Sequence, residues 1–186
     1  MTTRTVTAAA LVAALMSTPA AAYHEGTYGD RVRYCATEAY ALVEALETFV
    51  RGFEYIVAVI DTATTQYGRP AALLLAETVT KATQGPIERV RDVTGTCLTE
   101  VEGAAKRDAA ANQAAMALTT ELEFALDQID NLDEALRTRD AAVRRDPLRG
   151  TNDAAPVAAY RSLGVALRGQ VAALLERARR LAAATQ

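Results

Sequence analysis

An unbroken heptad pattern is the feature of this 186-residue chain that most restricts its fold. Ten consecutive intervals alternate between four and three residues, joining Val32, Ala36, Ala39, Val43, Leu46, Val50, Phe53, Val57, Ile60, Thr64 and Tyr67. This spacing places all of these side chains on one side of an α-helix. A second row widens the stripe with Cys35, Leu42, Phe49 and Ile56. A stripe this broad indicates a helix packed in a bundle and not in a two-stranded coil.

Three further segments repeat the same spacing after Gly68-Arg69-Pro70, where Pro70 is well placed to open a helix. The second stripe comprises Leu73, Ala76, Thr80, Thr83, Ile87, Val90, Thr94, Cys97, Val101 and Ala104. The third comprises Ala111, Ala115, Leu118, Leu122, Ala125, Ile129, Leu132, Leu136 and Val143. The fourth comprises Val157, Tyr160, Gly164, Leu167, Val171, Leu174, Ala178 and Leu181. Gly85-Pro86 leaves the phase of the second stripe unchanged, so it predicts a kink and not a turn.

The junction between the second and third stripes allows two interpretations because their phases match. Either the chain turns at residues 103–108 with Asp108 as helix cap, or residues 70–145 form one helix about 110 Å long. We favour the turn, since it divides the chain into four helices of similar length.

Only 5% of the residues are aromatic and much of the 51% hydrophobic content is alanine, which favours helices over strands. The prediction is an all-α, elongated, antiparallel four-helix bundle with long heptad-patterned helices.

Residues 1–22 have the pattern of a cleaved export signal. A single basic residue, Arg4, precedes an apolar run, and Pro19 to Ala22 end in a small-residue cleavage site. The run of about 11 residues is too short to cross a bilayer, and an alanine-rich amphipathic helix is the alternative interpretation. We therefore expect a secreted or periplasmic protein in which residues 23–186 form one domain. Without Arg4 that domain has 19 basic and 23 acidic side chains, a net charge of −4, which argues against nucleic-acid binding.

The two cysteines, Cys35 and Cys97, are symmetric about the first predicted turn. Their midpoint is position 66, so folding the first two helices into a hairpin brings the two side chains level, and both lie in core-facing rows. In an exported protein this placement predicts a disulfide. Two buried free thiols are the alternative, and the spacing fits no zinc site.

Residues suited to catalysis are scarce in the predicted mature chain. It keeps one histidine, His24, one serine, Ser162, and two lysines, Lys81 and Lys106. Ser162 has no nucleophile-elbow glycines around it, and one histidine cannot complete a di-iron site. No haem-attachment motif, phosphate-binding loop or dinucleotide fingerprint is present, so we expect no catalytic residues and no cofactor. The chemistry therefore favours a protein that is not an enzyme.

Two polar clusters are best explained as structural. Glu123, Asp127, Asp130 and Glu134 lie along one face of the third helix, and helices rarely enclose calcium, so we expect a solvated face paired with arginines. The other cluster, at the start of the first helix, comprises Tyr23, Tyr28, Tyr34, Tyr40, Arg31 and Arg33. A ligand or partner could meet this second cluster, but we expect its rings to pack over the end of the bundle.

The fourth predicted helix lacks the polar outer face of an ordinary bundle helix. Between Val157 and Leu175 its only charged residues are Arg161 and Arg168. The outward positions carry Ala158, Ala159, Val165, Ala166, Gly169, Ala172 and Ala173. Small side chains let another helix approach closely, so we expect a protein partner or self-association at this face. A membrane surface is a weaker alternative contact for this face, and an exposed alanine face without a partner is another. For the protein as a whole, a small-ligand carrier or sensor is the alternative function.

Overall fold

The computed structural model describes residues 26–62, 68–145 and 154–186, and these form four long α-helices. They are α1 (Tyr28–Thr62), α2 (Gly68–Glu102), α3 (Ala109–Arg145) and α4 (Ala154–Thr185). At 1.5 Å per residue each helix is about 50 Å long. The predicted all-α antiparallel four-helix bundle is therefore confirmed, and the described residues contain no strand. The predicted export signal lies outside the described residues.

The chain turns between α2 and α3, as the sequence favoured. The backbone leaves α2 at Gly103 and enters α3 at Ala109, and Asp108 caps the new helix. The Ala111 backbone N–H donates to Asp108 Oδ1 over 2.9 Å, which satisfies one of the free amides of the first turn. Residues 70–145 thus form two helices, while Gly85-Pro86 lies inside the continuous α2 as expected.

Consecutive helices run in opposite directions, but not all neighbours in the bundle are consecutive. Helix α1 packs against α2 and α3, and α4 packs against α3 and α2. Gly29 and Ala110 are in contact at the first turns of α1 and α3, which therefore run parallel. Arg91 meets Gln170 and, further along both helices, Glu102 meets Arg177, so α2 and α4 also run parallel. The turn at residues 103–108 consequently crosses the diagonal of the bundle.

Small side chains explain why α1 and α3 form the most extensive helix contact. A Cβ added to Gly29 would stand only 3.0 Å from the Ala110 Cβ, so a larger residue there would make α1 and α3 shift apart by a few tenths of an ångström. Ala39, Ala111 and Ala115 have no exposed surface and continue the contact along both helices. Close backbone approach favours dispersion contacts, which compensate for the small apolar area of each alanine.

The core follows the four predicted stripes, with a shift on α1 and departures on α2, where Leu73, Thr83 and Val90 are only half-buried and Ala104 lies exposed in the turn after the helix. Cys35, Leu42 and Phe49, from the row added to widen the stripe, are fully buried, whereas Val43 in the main row is half-buried. Each described residue of the third stripe is buried, as is each described residue of the fourth. The core also includes Leu98, Leu163 and Leu175, which the stripes omitted because they lie beside the strict three-four register.

Candidate interaction face

Helix α4 is held in the bundle by its core side. Tyr160 is 1% exposed and stacks on Phe49, with 4.5 Å between the ring centroids and 21° between the ring planes. Leu167 and Val171 continue the buried side along the helix. This anchoring leaves the opposite side of α4 directed towards solvent, which defines the candidate interaction face.

The interaction face consists of the seven small residues singled out from the sequence. Val165 is 70% exposed, the highest value among the exposed large hydrophobic side chains of the described residues. Ala172 is half-buried, and the other members, Ala158, Ala159, Ala166, Gly169 and Ala173, are exposed. The structure therefore places all seven on one side of α4, and six of them are exposed.

The two glycines of α4 have different surroundings. A Cβ at Gly164 would stand 3.3 Å from Leu132 Cδ2, so packing against α3 explains a small residue at that position. A Cβ at Gly169 would meet nothing within 4 Å. Glycine in a helix interior destabilises it by about 1 kcal/mol relative to alanine. The packing of the bundle thus does not explain Gly169, which lies within the interaction face.

Arginines line both edges of the interaction face and pair with neighbouring helices. Towards α3, Arg168 Nε lies 2.8 Å from Asp130 Oδ1, and Arg179 Nη2 lies 3.0 Å from Glu123 Oε1. The Asp130 carboxylate accepts a hydrogen bond from Arg168 and thereby raises the pKa of this arginine further. Both pairs involve the acidic row of α3, as predicted. The other two members of this row, Asp127 and Glu134, are exposed.

The edge towards α2 contains a contact that the sequence patterns missed. Arg177 Nη2 donates to Thr99 Oγ1 over 2.8 Å and lies 2.8 Å from Glu102 Oε2, both on α2. Its side chain is only 24% exposed, so the pair is partly shielded from water. The sequence shows Arg177 as an arginine beside the core stripe of α4, but it does not show which neighbouring helix this side chain contacts.

The predicted Cys35–Cys97 disulfide is present. The two Cα atoms are 5.6 Å apart, and the cysteines are 0% and 3% exposed. The bond joins α1 to α2 at the end of the bundle that contains the residue 103–108 turn. A disulfide is consistent with folding in an oxidising compartment.

The tyrosine cluster packs at the same end through Tyr28 and Tyr34, as expected, whereas Tyr40 is exposed further along α1. The buried Tyr28 hydroxyl donates to the Val101 carbonyl over 3.0 Å, and burial raises the pKa of Tyr28. Arg31 and Lys106 lie 5.8 and 5.9 Å from the centre of its ring. Burial and Glu38 raise the pKa of the half-buried Tyr34 to about 12, while Tyr40 is half exposed. Tyr23 lies outside the described residues.

Of the few residues with catalytic chemistry, the described Ser162, Lys81 and Lys106 all lie exposed on the surface. Ser162 is exposed on α4, and Lys81 pairs with Glu77 in its own helix over 2.6 Å. His24 lies outside the described residues. Within the described ranges, no group of three or more histidine, cysteine or acidic side chains is arranged to hold a metal ion.

Comparison with family models, curated proteins and solved structures found no match to this chain. No helix in the described part of the chain is both long and apolar enough to cross a membrane.

Proposed function

We propose that this chain is an exported, non-enzymatic bundle that acts by binding another protein or assembling with itself. The observation that carries the proposal is the interaction face of α4, which presents small apolar residues to solvent. A helix exposed on one side ordinarily carries a polar outer face, and α3 does so over residues 123–134 with its acidic row, although Met116 and Phe124 of the same helix are also exposed. The contrast between the two helices favours a function for the α4 face.

The small residues suit a helix as the binding element of the partner. Without long side chains in the way, two helix backbones approach closely and gain dispersion contacts over a long line. Arg168 and Arg179 already pair with α3, so the centre of the face is free of charges that binding would have to desolvate.

Two further observations support export and binding. The Cys35–Cys97 disulfide suits an oxidising compartment, and the N-terminal 22 residues have the pattern of an export signal. The scarcity of histidine, serine and lysine leaves few groups for proton transfer or nucleophilic attack. Binding is the activity that these residues support best.

The proposal is tested with chains that carry Ala166→Glu or Ala173→Glu in the middle of the face. Light scattering at micromolar concentration should show the unchanged mature protein as a dimer or larger assembly, or as a complex with a protein from its own envelope or medium. Either glutamate should abolish that association, because binding would bury an unpaired charge.

The matched control is Ala117→Glu, which places the same charge at an exposed position of α3. It should leave the association unchanged. A second arm measures sedimentation with anionic lipid vesicles, and binding that Ala166→Glu abolishes would assign the face to a membrane surface instead. A monomer that binds neither protein nor vesicles would contradict the proposal.

A further inference from the structure

Helix α2 is divided by Gly85-Pro86 near its middle. Pro86 has no backbone N–H, so the Ala82 carbonyl lacks its usual partner four residues on, and the proline ring crowds that carbonyl. Gly85 adds conformational freedom, and a Cβ there would meet nothing within 4 Å. This pair is therefore the point in α2 where a change of direction costs least.

The second half of α2 is tied to its neighbours. Cys97 is bonded to α1, the Val101 carbonyl accepts from Tyr28, and Thr99 accepts from Arg177. Arg91 Nη1 also donates to Gln170 Oε1 on α4 over 2.5 Å. The buried side chains of this half are Ile87, Thr94, Cys97, Leu98 and Val101. Both covalent and apolar contacts hold it in the bundle.

The first half of α2 is much less buried. Among the residues between 70 and 85 whose burial is described, only Thr80 is buried, and half-buried side chains are Leu73, Val79 and Thr83. Leu74 is 64% exposed and Leu75 is 39% exposed. Because apolar burial is the main stabilising contribution in a bundle, this half is held more weakly than the other.

An aromatic cluster lies beneath this weakly held segment. Tyr160 is placed between Phe49 and Phe53, with ring centroids 4.5 and 4.9 Å away, and all three rings are at most 2% exposed. Thr80 lies beside the Tyr160 hydroxyl and partly offsets the rise in the pKa of Tyr160 that burial causes. Leu73 and Val79 of the same segment pack against the apolar core that contains these rings, so opening of the first half of α2 would expose part of that core.

We propose that residues 68–85 open as one unit about Gly85-Pro86 and uncover this aromatic cluster, while the disulfide end of the bundle stays closed. Local opening of this kind requires only the free energy of the contacts that break, which is less than global unfolding. This opening of residues 68–85 is independent of the interaction face on α4, so either can exist without the other.

Native-state hydrogen exchange of the full chain with its disulfide intact tests the opening. Amides of residues 71–84 should exchange together and at least about tenfold faster than those of residues 88–101. Exchange of both halves at one common rate, through global unfolding only, would overturn the proposal.

A cross-link provides a test within a single protein. A Cβ at residue 52 would stand 3.8 Å from Val79 Cγ1, so Gly52→Cys with Val79→Cys places two thiols close together across α1 and α2. The oxidised form should lose the fast exchange of residues 71–84. The same variant, treated with a mild reductant that spares the buried native disulfide, should recover it. Equal exchange in both forms would contradict the opening.

Pro86→Ala tests the hinge without new cysteines. Alanine restores the N–H that bonds to the Ala82 carbonyl and should slow exchange of residues 71–84 by about tenfold or more, with little change in residues 88–101. Unchanged exchange in the first half would show that Gly85-Pro86 is not the hinge.

Discussion

At the scale of single residues, the two glycines of α4 illustrate how tertiary contacts give the same residue type different roles. Gly164 faces Leu132, and its missing side chain allows α3 and α4 to approach. Gly169 has open space around it and lies within the interaction face. In the sequence pattern Gly164 belongs to the core stripe and Gly169 lies outside it, but the space around each glycine is known only from the packed helices.

We predict that Gly169→Ala raises the free energy of unfolding by about 0.5–1 kcal/mol, because alanine is the better helix former and its methyl group meets no atom. Gly164→Ala should give a smaller gain or a loss, since its Cβ would press on Leu132 Cδ2 at 3.3 Å. Urea denaturation of dilute protein measures both. An equal gain from the two substitutions would contradict the difference in packing.

At the scale of helices, polar contacts at one end of the bundle fix how neighbouring helices meet. The Asn112 side-chain amide donates to the Ala182 carbonyl over 2.8 Å, which joins the start of α3 to the end of α4. Arg177 joins α4 to α2 in the same region. Heptad positions predicted most of the buried side of each helix, yet neither contact was predictable, because both residues lie beside the stripes.

We predict that Arg177→Ala lowers the free energy of unfolding by about 1–2 kcal/mol, since it leaves the partly shielded Glu102 carboxylate and Thr99 without their donor. Arg180→Ala removes an exposed arginine from the same helix and should change the stability by less than about 0.5 kcal/mol. Thermal unfolding followed by circular dichroism compares the two. Equal effects would show that the Arg177 contacts contribute no more than an exposed charge.

At the scale of the whole molecule, the disulfide and the diagonal turn act at the same end. The Cys35–Cys97 bond spans 62 residues and links α1 to α2, while the turn at residues 103–108 carries the chain across the bundle to α3. Cross-linking a loop of this length restricts the unfolded chain and contributes up to about 4 kcal/mol of stability in the chain-entropy model.

We predict that replacing Cys35 and Cys97 together by alanine lowers the thermal midpoint by about 5–15 °C. The unchanged protein, kept fully reduced by an excess of thiol reductant, is the control and should melt close to the double variant. Thiol titration of denatured, non-reduced native protein should detect no free thiol. Two titratable thiols, or an unchanged midpoint, would contradict the stabilising bond.

Residue patterns predicted the four helices, most of their buried sides, the Asp108 cap and the level placement of the two cysteines. Each of these depends on residues close in the chain or on the symmetry of one hairpin, so periodicity and local hydrogen bonding suffice. The packing of the complete bundle was needed to show that α1 lies beside α3, that α2 lies beside α4, and which neighbour Arg177 meets. Alanine-rich stripes are compatible with several neighbours, and the choice among them depends on close contacts such as Gly29 with Ala110, which form only when the whole bundle assembles.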